Sequence, residues 1–211
     1  MEKKEQEMTA ARSLEIISKS LEANRREMSR QMGTPMLVWG VLVMVTALVI
    51  GHLWIHNGGP VWNLLWAPMT VIGFVLEHYA KKRIGQKGVQ SFISRMVGAT
   101  WLSFCFFALG MWGCIALVGN LGTPVHYYLP FTGFLALLMG FASCITGFIV
   151  KKNILICSGF IVGFGGLIAD FYIDNGYELL IIAAAALIGL VLPGLYFNRQ
   201  SKECAKEEAY V

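Results

Sequence analysis

The residues best suited to chemistry lie near the ends of long apolar runs. His52 and His56 are four residues apart, as are Asp170 and Asp174; Glu178 follows four later, and His126 stands in a separate polar stretch. On a helix an i,i+4 spacing places two side chains on one face. Imidazole and carboxylate groups together form a donor set for a divalent cation such as Zn²⁺. Histidine, which titrates near neutrality, can also relay or sense protons. The competing reading is that these are ordinary polar residues at a membrane interface, where such side chains cost little. Asp170 is the exception, because it lies inside an apolar run, about 4–5 Å from its end at 1.5 Å per residue. A carboxylate at that depth needs a partner or water and is a functional candidate by default.

Other chemistry has little foothold. The chain contains no G-x-S-x-G, H-E-x-x-H or Walker A sequence, the motifs that would announce a serine hydrolase, a zinc protease or a nucleotide-binding loop. Cys105, Cys114, Cys144 and Cys157 fall within apolar runs, with no C-x-x-C spacing; there cysteine serves as a small apolar residue. A non-enzymatic protein without a cofactor is the expectation.

Gly163-Phe164-Gly165-Gly166 lies inside an apolar run, which excludes a phosphate cradle after a strand. Gly159 with Gly163, and Gly140 with Cys144, make small-xxx-small steps that suit close helix packing. The alternative is a loosened helix lining a solute cavity. Pro68 and Pro193 each remove a backbone hydrogen bond and predict kinks, which in a transporter would be candidate hinges.

The elements that must position these residues are set by apolar length and charge. Of 211 residues, 56% are hydrophobic and 14% charged, too apolar a balance for a soluble domain of this size. A membrane span needs about 20 mainly apolar residues. Six stretches qualify: 35–55, 61–79, 96–118, 129–150, 154–173 and 177–197. All 17 Lys and Arg residues fall outside them or at one side of them, before residue 31, between 81 and 95, at 151–152 and from 199 on. The positive-inside rule makes that side cytoplasmic. It holds 17 basic and 10 acidic residues, a net of +7, while the other side has only Asp170, Asp174 and Glu178. An even number of spans leaves both termini inside. The predicted fold is all-α: a polytopic membrane protein with six transmembrane helices in three hairpins, plus an N-terminal cytoplasmic amphipathic helix. Its parts are residues 1–33 (the amphipathic helix), 34–198 (the membrane domain) and 199–211 (a cytoplasmic tail).

The N-terminal segment carries Leu14, Ile17, Leu21 and Met28 on one helical face, with charged residues opposite, including a Glu15–Lys19 pair at i,i+4. Gly33 is expected to end this helix, with Thr34 capping the first span and Pro35 opening it. The apolar stripe can lie on lipid, pack under the bundle or pair with a second copy. The basic inner face suits anionic lipids, which attract roughly 1 kcal/mol per Lys or Arg near the surface. Its cations are spread over every inner loop, which argues against nucleic acid as a partner.

The run Pro35-Met36-Leu37-Val38-Trp39-Gly40-Val41-Leu42, preceded by Ser13-Leu14-Glu15-Ile16-Ile17, resembles a family of small bacterial six-span inner-membrane proteins with an N-terminal amphipathic helix. The resemblance implies an inner-membrane location. It also implies a sensory or stress-linked role, because a small winged-helix regulator is encoded beside such proteins. It carries no functional residue over. Three functions remain: a non-enzymatic membrane protein whose inner helix contacts lipid, a cytoplasmic partner or a second copy; a small-solute transporter or its substrate-binding subunit; and a metal or proton site on the outer side.

Overall fold

A computed structural model describes residues 2–83, 92–120, 130–173 and 176–209, and these are helical almost throughout. Helix α1 spans Glu2–Gln31 and α2 Gly33–Asn57. A 3-10 segment, Pro60–Leu65, leads into α3, Trp66–Arg83. Then come α4 (Phe92–Asn120), α5 (Phe131–Val150) and α6 (Asn153–Asp170). The last helix is one rod in three parts: α7 (Glu178–Ala186), a π-helical turn (Leu187–Val191) and α8 (Leu192–Ala209). Among the described residues no strand occurs.

Five helices are long and apolar enough to cross a membrane: α2, α4 to Cys114, α5, α6, and the α7–α8 rod to Glu203. Side chains such as Phe106, Phe107, Leu109, Phe164 and Val71 stand exposed on their outer surfaces. Exposed apolar area on this scale, over many sides of a bundle, fits lipid and not water. The same applies to Cys105, Cys114 and Cys157, whereas Cys144 is buried. The chain is thus a membrane-embedded helical bundle.

Burial separates centre from rim. In α5 and the α7–α8 rod 56% and 61% of the apolar window is buried, against 11% in α4. Around this centre α2 packs along α7 and α8, α6 packs along α5, and α4 leans on α5. Among the described residues the backbone of α3 comes close only to α2 and its own 3-10 lead-in. The tightest pair is α5 with α6, two helices that three separate hairpins would put in different units.

Glycine explains that pairing. A Cβ built at Gly140 would stand 2.6 Å from Gly163 Cα, and one at Gly159 would stand 2.6 Å from the Gly140 carbonyl oxygen. Gly133, Gly140 and Gly147 recur at seven-residue intervals along α5, and each lies against α6. Only residues without a side chain let two helix backbones approach so closely.

The junction between α1 and α2 departs from the sequence expectation. Helix α2 starts at Gly33, and Thr34 is not its cap. The Met32 N–H donates to the Met28 carbonyl and the Met36 N–H to that of Met32, so helical bonding runs almost unbroken through the joint. Gly33 is needed for space, because a side chain there would collide with Asn198 of α8.

Both prolines follow a change of helix type. Pro68 is the third residue of α3, just after the 3-10 lead-in. It supplies no N–H to the turn where the two helix types join. Pro193 follows the π-turn, where the Leu192 N–H bonds the Leu187 carbonyl five residues back. The widened turn makes room for a ring that would clash with the carbonyl four residues earlier.

Candidate functional site

Both ends of α5 are held by side chains from other helices. The helix itself contributes no acid in its first turn and no base in its last, so its exposed N–H and C=O groups and its macrodipole require outside partners. At the N-terminus Asp170, the last residue of α6, accepts the Gly133 N–H at 2.7 Å through Oδ2. Glu178 of α7 reaches the same turn, accepting the Thr132 hydroxyl at 3.4 Å. Two acids with no Lys or Arg near them in sequence are therefore placed at the positive pole of a helix. The second oxygen of Asp170, Oδ1, is buried and accepts no hydrogen bond among the described residues. It is the atom at which a proton or a cation can bind.

The histidines stand apart from this pair. His52 and His56 lie on an exposed face of α2 with ring centroids 4.2 Å apart, and His56 Nδ1 is 2.9 Å from the His52 carbonyl. On that turn Gly51 meets Leu179 of α7, and Trp54 and Ile55 meet Gly176 just before it. Asp174 and His126 lie outside the described residues. Among the described residues no group of three His, Cys, Asp or Glu gathers closely enough to hold a metal ion.

At the other end of α5 the accounting is nearly complete. The Lys152 N–H bonds the Gly147 carbonyl and the Lys151 N–H that of Phe148, with Lys151 in the left-handed conformation at φ 57°. This is a Schellman closure with lysine at the usual glycine position. It leaves the Ile149 carbonyl open, and Arg25 of α1 fills it, donating Nε–H at 3.1 Å. A guanidinium at a helix C-terminus also complements the dipole.

Arg25 is part of a wider dock. Met28 and Met32 enter the main core with Val150, Leu155 and Phe197, and Ser29 is buried. Helix α1 touches α2, α4, α5 and α8, so it crosses the end of the bundle and does not run beside one helix. Further toward its N-terminus the apolar face is open: Leu14 and Ile17, on the face that carries Leu21 and Met28, remain 67% and 55% exposed. The Glu15–Lys19 pair forms as the spacing predicts, at 2.7 Å.

Several partners were not readable from sequence. Glu77 accepts the Trp39 indole N–H at 2.8 Å and thereby ties α3 to α2. Trp66 packs against the cluster of Ala47, Ile182 and Ala183 and donates to Asn63 at 3.3 Å. No family model, curated protein or solved structure significantly matches this chain. What the chain does must be read from how these side chains are placed.

Proposed function

We propose that this is a non-enzymatic, six-span protein of the bacterial inner membrane, with both termini cytoplasmic, that works through α1 as a regulatory element on the inner leaflet. The observation that carries this reading is the division of α1 into a docked part and a free part sharing one apolar face. Arg25, Met28, Ser29 and Met32 fasten its C-terminal third to the bundle. The same stripe then continues through Ile17 and Leu14, which are mostly exposed. The face that meets the end of a membrane bundle meets, past its rim, the headgroups of the surrounding bilayer. Arg12 and Lys19 on this stretch add attraction to anionic lipid.

Trypsin accessibility tests it. The full chain is placed in nanodiscs of phosphatidylcholine with and without phosphatidylglycerol, and cleavage at Arg12 and Lys19 is timed. Anionic lipid is expected to slow cleavage roughly tenfold, since each cation near the surface contributes about 1 kcal/mol. Leu14→Asp with Ile17→Asp is expected to restore the fast rate. Equal rates in both discs for the wild-type chain would sink the proposal.

A further inference from the structure

The dock of α1 encloses a space that its contacts alone do not explain. Between α1, the Lys151–Lys152 turn and α8 lies an open cleft of about 660 Å³. That volume is within the range of small-molecule sites, roughly 300–1,000 Å³. Arg25, Arg26 and Arg30 line it from α1, and Lys151 and Lys152 from the turn; among the described residues Glu22 is the one acid in its wall. Among the described residues, five cations against one carboxylate give the lining a net charge of +4.

The acid does little to balance that excess. Glu22 sits 3.5 Å from Arg26 in an exposed pair, of the kind worth little. Lys152 has a neutral partner, the Gln200 side-chain oxygen at 3.2 Å. Folding therefore brings three arginines of one helix against two lysines of a turn more than a hundred residues away in sequence. Like charges gathered in a cleft repel one another and raise the local potential, which concentrates anions there. Guanidinium forks match phosphate oxygens two at a time, and ammonium groups add point charge. Leu21, Val150 and Phe197 supply an apolar part of the wall, suited to the carbon portion of such a ligand.

We infer that this cleft binds a phosphate-bearing anion, either an anionic phospholipid headgroup or a soluble phosphate compound, and that the bound anion locks α1 to the bundle. Both walls are needed to form the site, so a ligand that fills it favours the docked arrangement of α1 over any other. The inference deepens the regulatory reading of α1 by naming what its docked part recognises.

The test uses the full chain in neutral detergent, titrated separately with inorganic pyrophosphate and with short-chain phosphatidylglycerol, and followed by calorimetry. The wild-type protein is expected to bind at least one probe. Lys151→Asn with Lys152→Gln, which removes two of the five cations, should weaken that binding roughly tenfold or more. Asparagine is chosen at 151 because it tolerates the left-handed conformation. Arg26→Gln, on an exposed side chain, supplies a second variant that leaves the turn intact. Lys202→Gln, exposed on α8 outside the cleft, should bind as wild type. Binding of pyrophosphate alone identifies a soluble source, and of phosphatidylglycerol alone a lipid one; binding of both shows recognition of the phosphate itself. The inference fails if neither probe binds, if the cleft variants bind as tightly as wild type, or if Lys202→Gln loses as much as they do. Protection of Arg12 and Lys19 on anionic nanodiscs depends on Leu14 and Ile17, so loss of the cleft and failure of the surface-helix reading give separate results.

Discussion

Arg25 and Asp170 grip opposite ends of the same helix. The guanidinium donates to the Ile149 carbonyl in the last turn of α5, and the carboxylate accepts the Gly133 N–H in its first. Each charge has the sign that the helix dipole favours at that end. The most central span is thus joined to α1 at its basic end and to α6 at its acidic end, through backbone groups that α5 cannot satisfy alone. Whatever moves α1 pulls on the same helix that Asp170 holds.

Removing the acidic grip should cost stability. Asp170→Ala leaves the Gly133 N–H without its acceptor, and hydrogen bonds to charged groups contribute about 1.5–3 kcal/mol. The midpoint of unfolding in detergent is expected to fall by a corresponding amount. Asp170→Asn keeps an acceptor oxygen and the side-chain size while losing the charge, so its loss should be smaller. An alanine variant as stable as wild type would show that the contact carries no weight.

The basic grip should show itself locally. Arg25→Ala opens the Ile149 carbonyl and removes a cation from the helix C-terminus, at a cost of about 1–3 kcal/mol. Because Arg25 belongs to α1, this loss falls on the dock before it reaches the bundle. Limited proteolysis should cut α1 several-fold faster in this variant, while the unfolding midpoint of the membrane domain changes little. A fall in the midpoint with unchanged cleavage of α1 would mean that Arg25 supports α5 alone.

Two glycines in neighbouring spans should respond in opposite ways. At Gly140 a new Cβ meets the α6 backbone, including Gly163 Cα at 2.6 Å, and backbone cannot step aside as a side chain can. Gly140→Ala is therefore expected to destabilise the α5–α6 pair by about 1–3 kcal/mol, the usual cost of overpacking. At Gly165 a Cβ meets nothing within 4 Å. Gly165→Ala should be neutral or stabilising by up to about 1 kcal/mol, from helix propensity. Thermal unfolding of the two variants side by side checks the sign of each.

The contrast between those glycines shows what a sequence can and cannot carry. Apolar runs, charge segregation and small-xxx-small steps are local patterns, so five of the six spans, the amphipathic α1 and the tight packing at Gly140, Gly159 and Gly163 are legible. Which helix each pattern meets is not local. Nothing in the residues around Asp170 points to Gly133, 37 positions away, and Arg25 is 124 positions from Ile149. The acids of one side could thus be recognised as lacking cationic partners in sequence, while the helix terminus that serves instead appears only in the fold. The 3-10 lead-in before Pro68 is hidden for a related reason. It has no distinct hydropathy signature, so a change of helix type within an apolar run does not show in the residues.

That lead-in bears on whether α3 crosses the membrane. Helix α3 carries Glu77 and the basic run from Lys81 at its end, which leaves Trp66–Leu76 as its apolar α-helical part. Eleven such residues would span only about 17 Å at 1.5 Å each. The 3-10 segment Pro60–Leu65 rises faster, about 2.0 Å per residue, and brings the apolar length to about 28 Å, close to a hydrocarbon core of about 30 Å. Val71, Ile72 and Phe74 are exposed as lipid-facing residues would be. Trp39 holds the helix against α2 through Glu77, with the Trp39 and Phe74 ring centroids 5.2 Å apart and nearly perpendicular and the outer rim of the indole against Gly73. Reporter fusions after Gly59 and after Lys82 are therefore expected to lie on opposite sides, the first outside and the second in the cytoplasm. Fusions reporting the same side would remove α3 as a span and leave five. Gly73→Leu, which pushes against the Trp39 ring 2.6 Å away, should loosen α3 from α2 without changing the side on which either fusion reports.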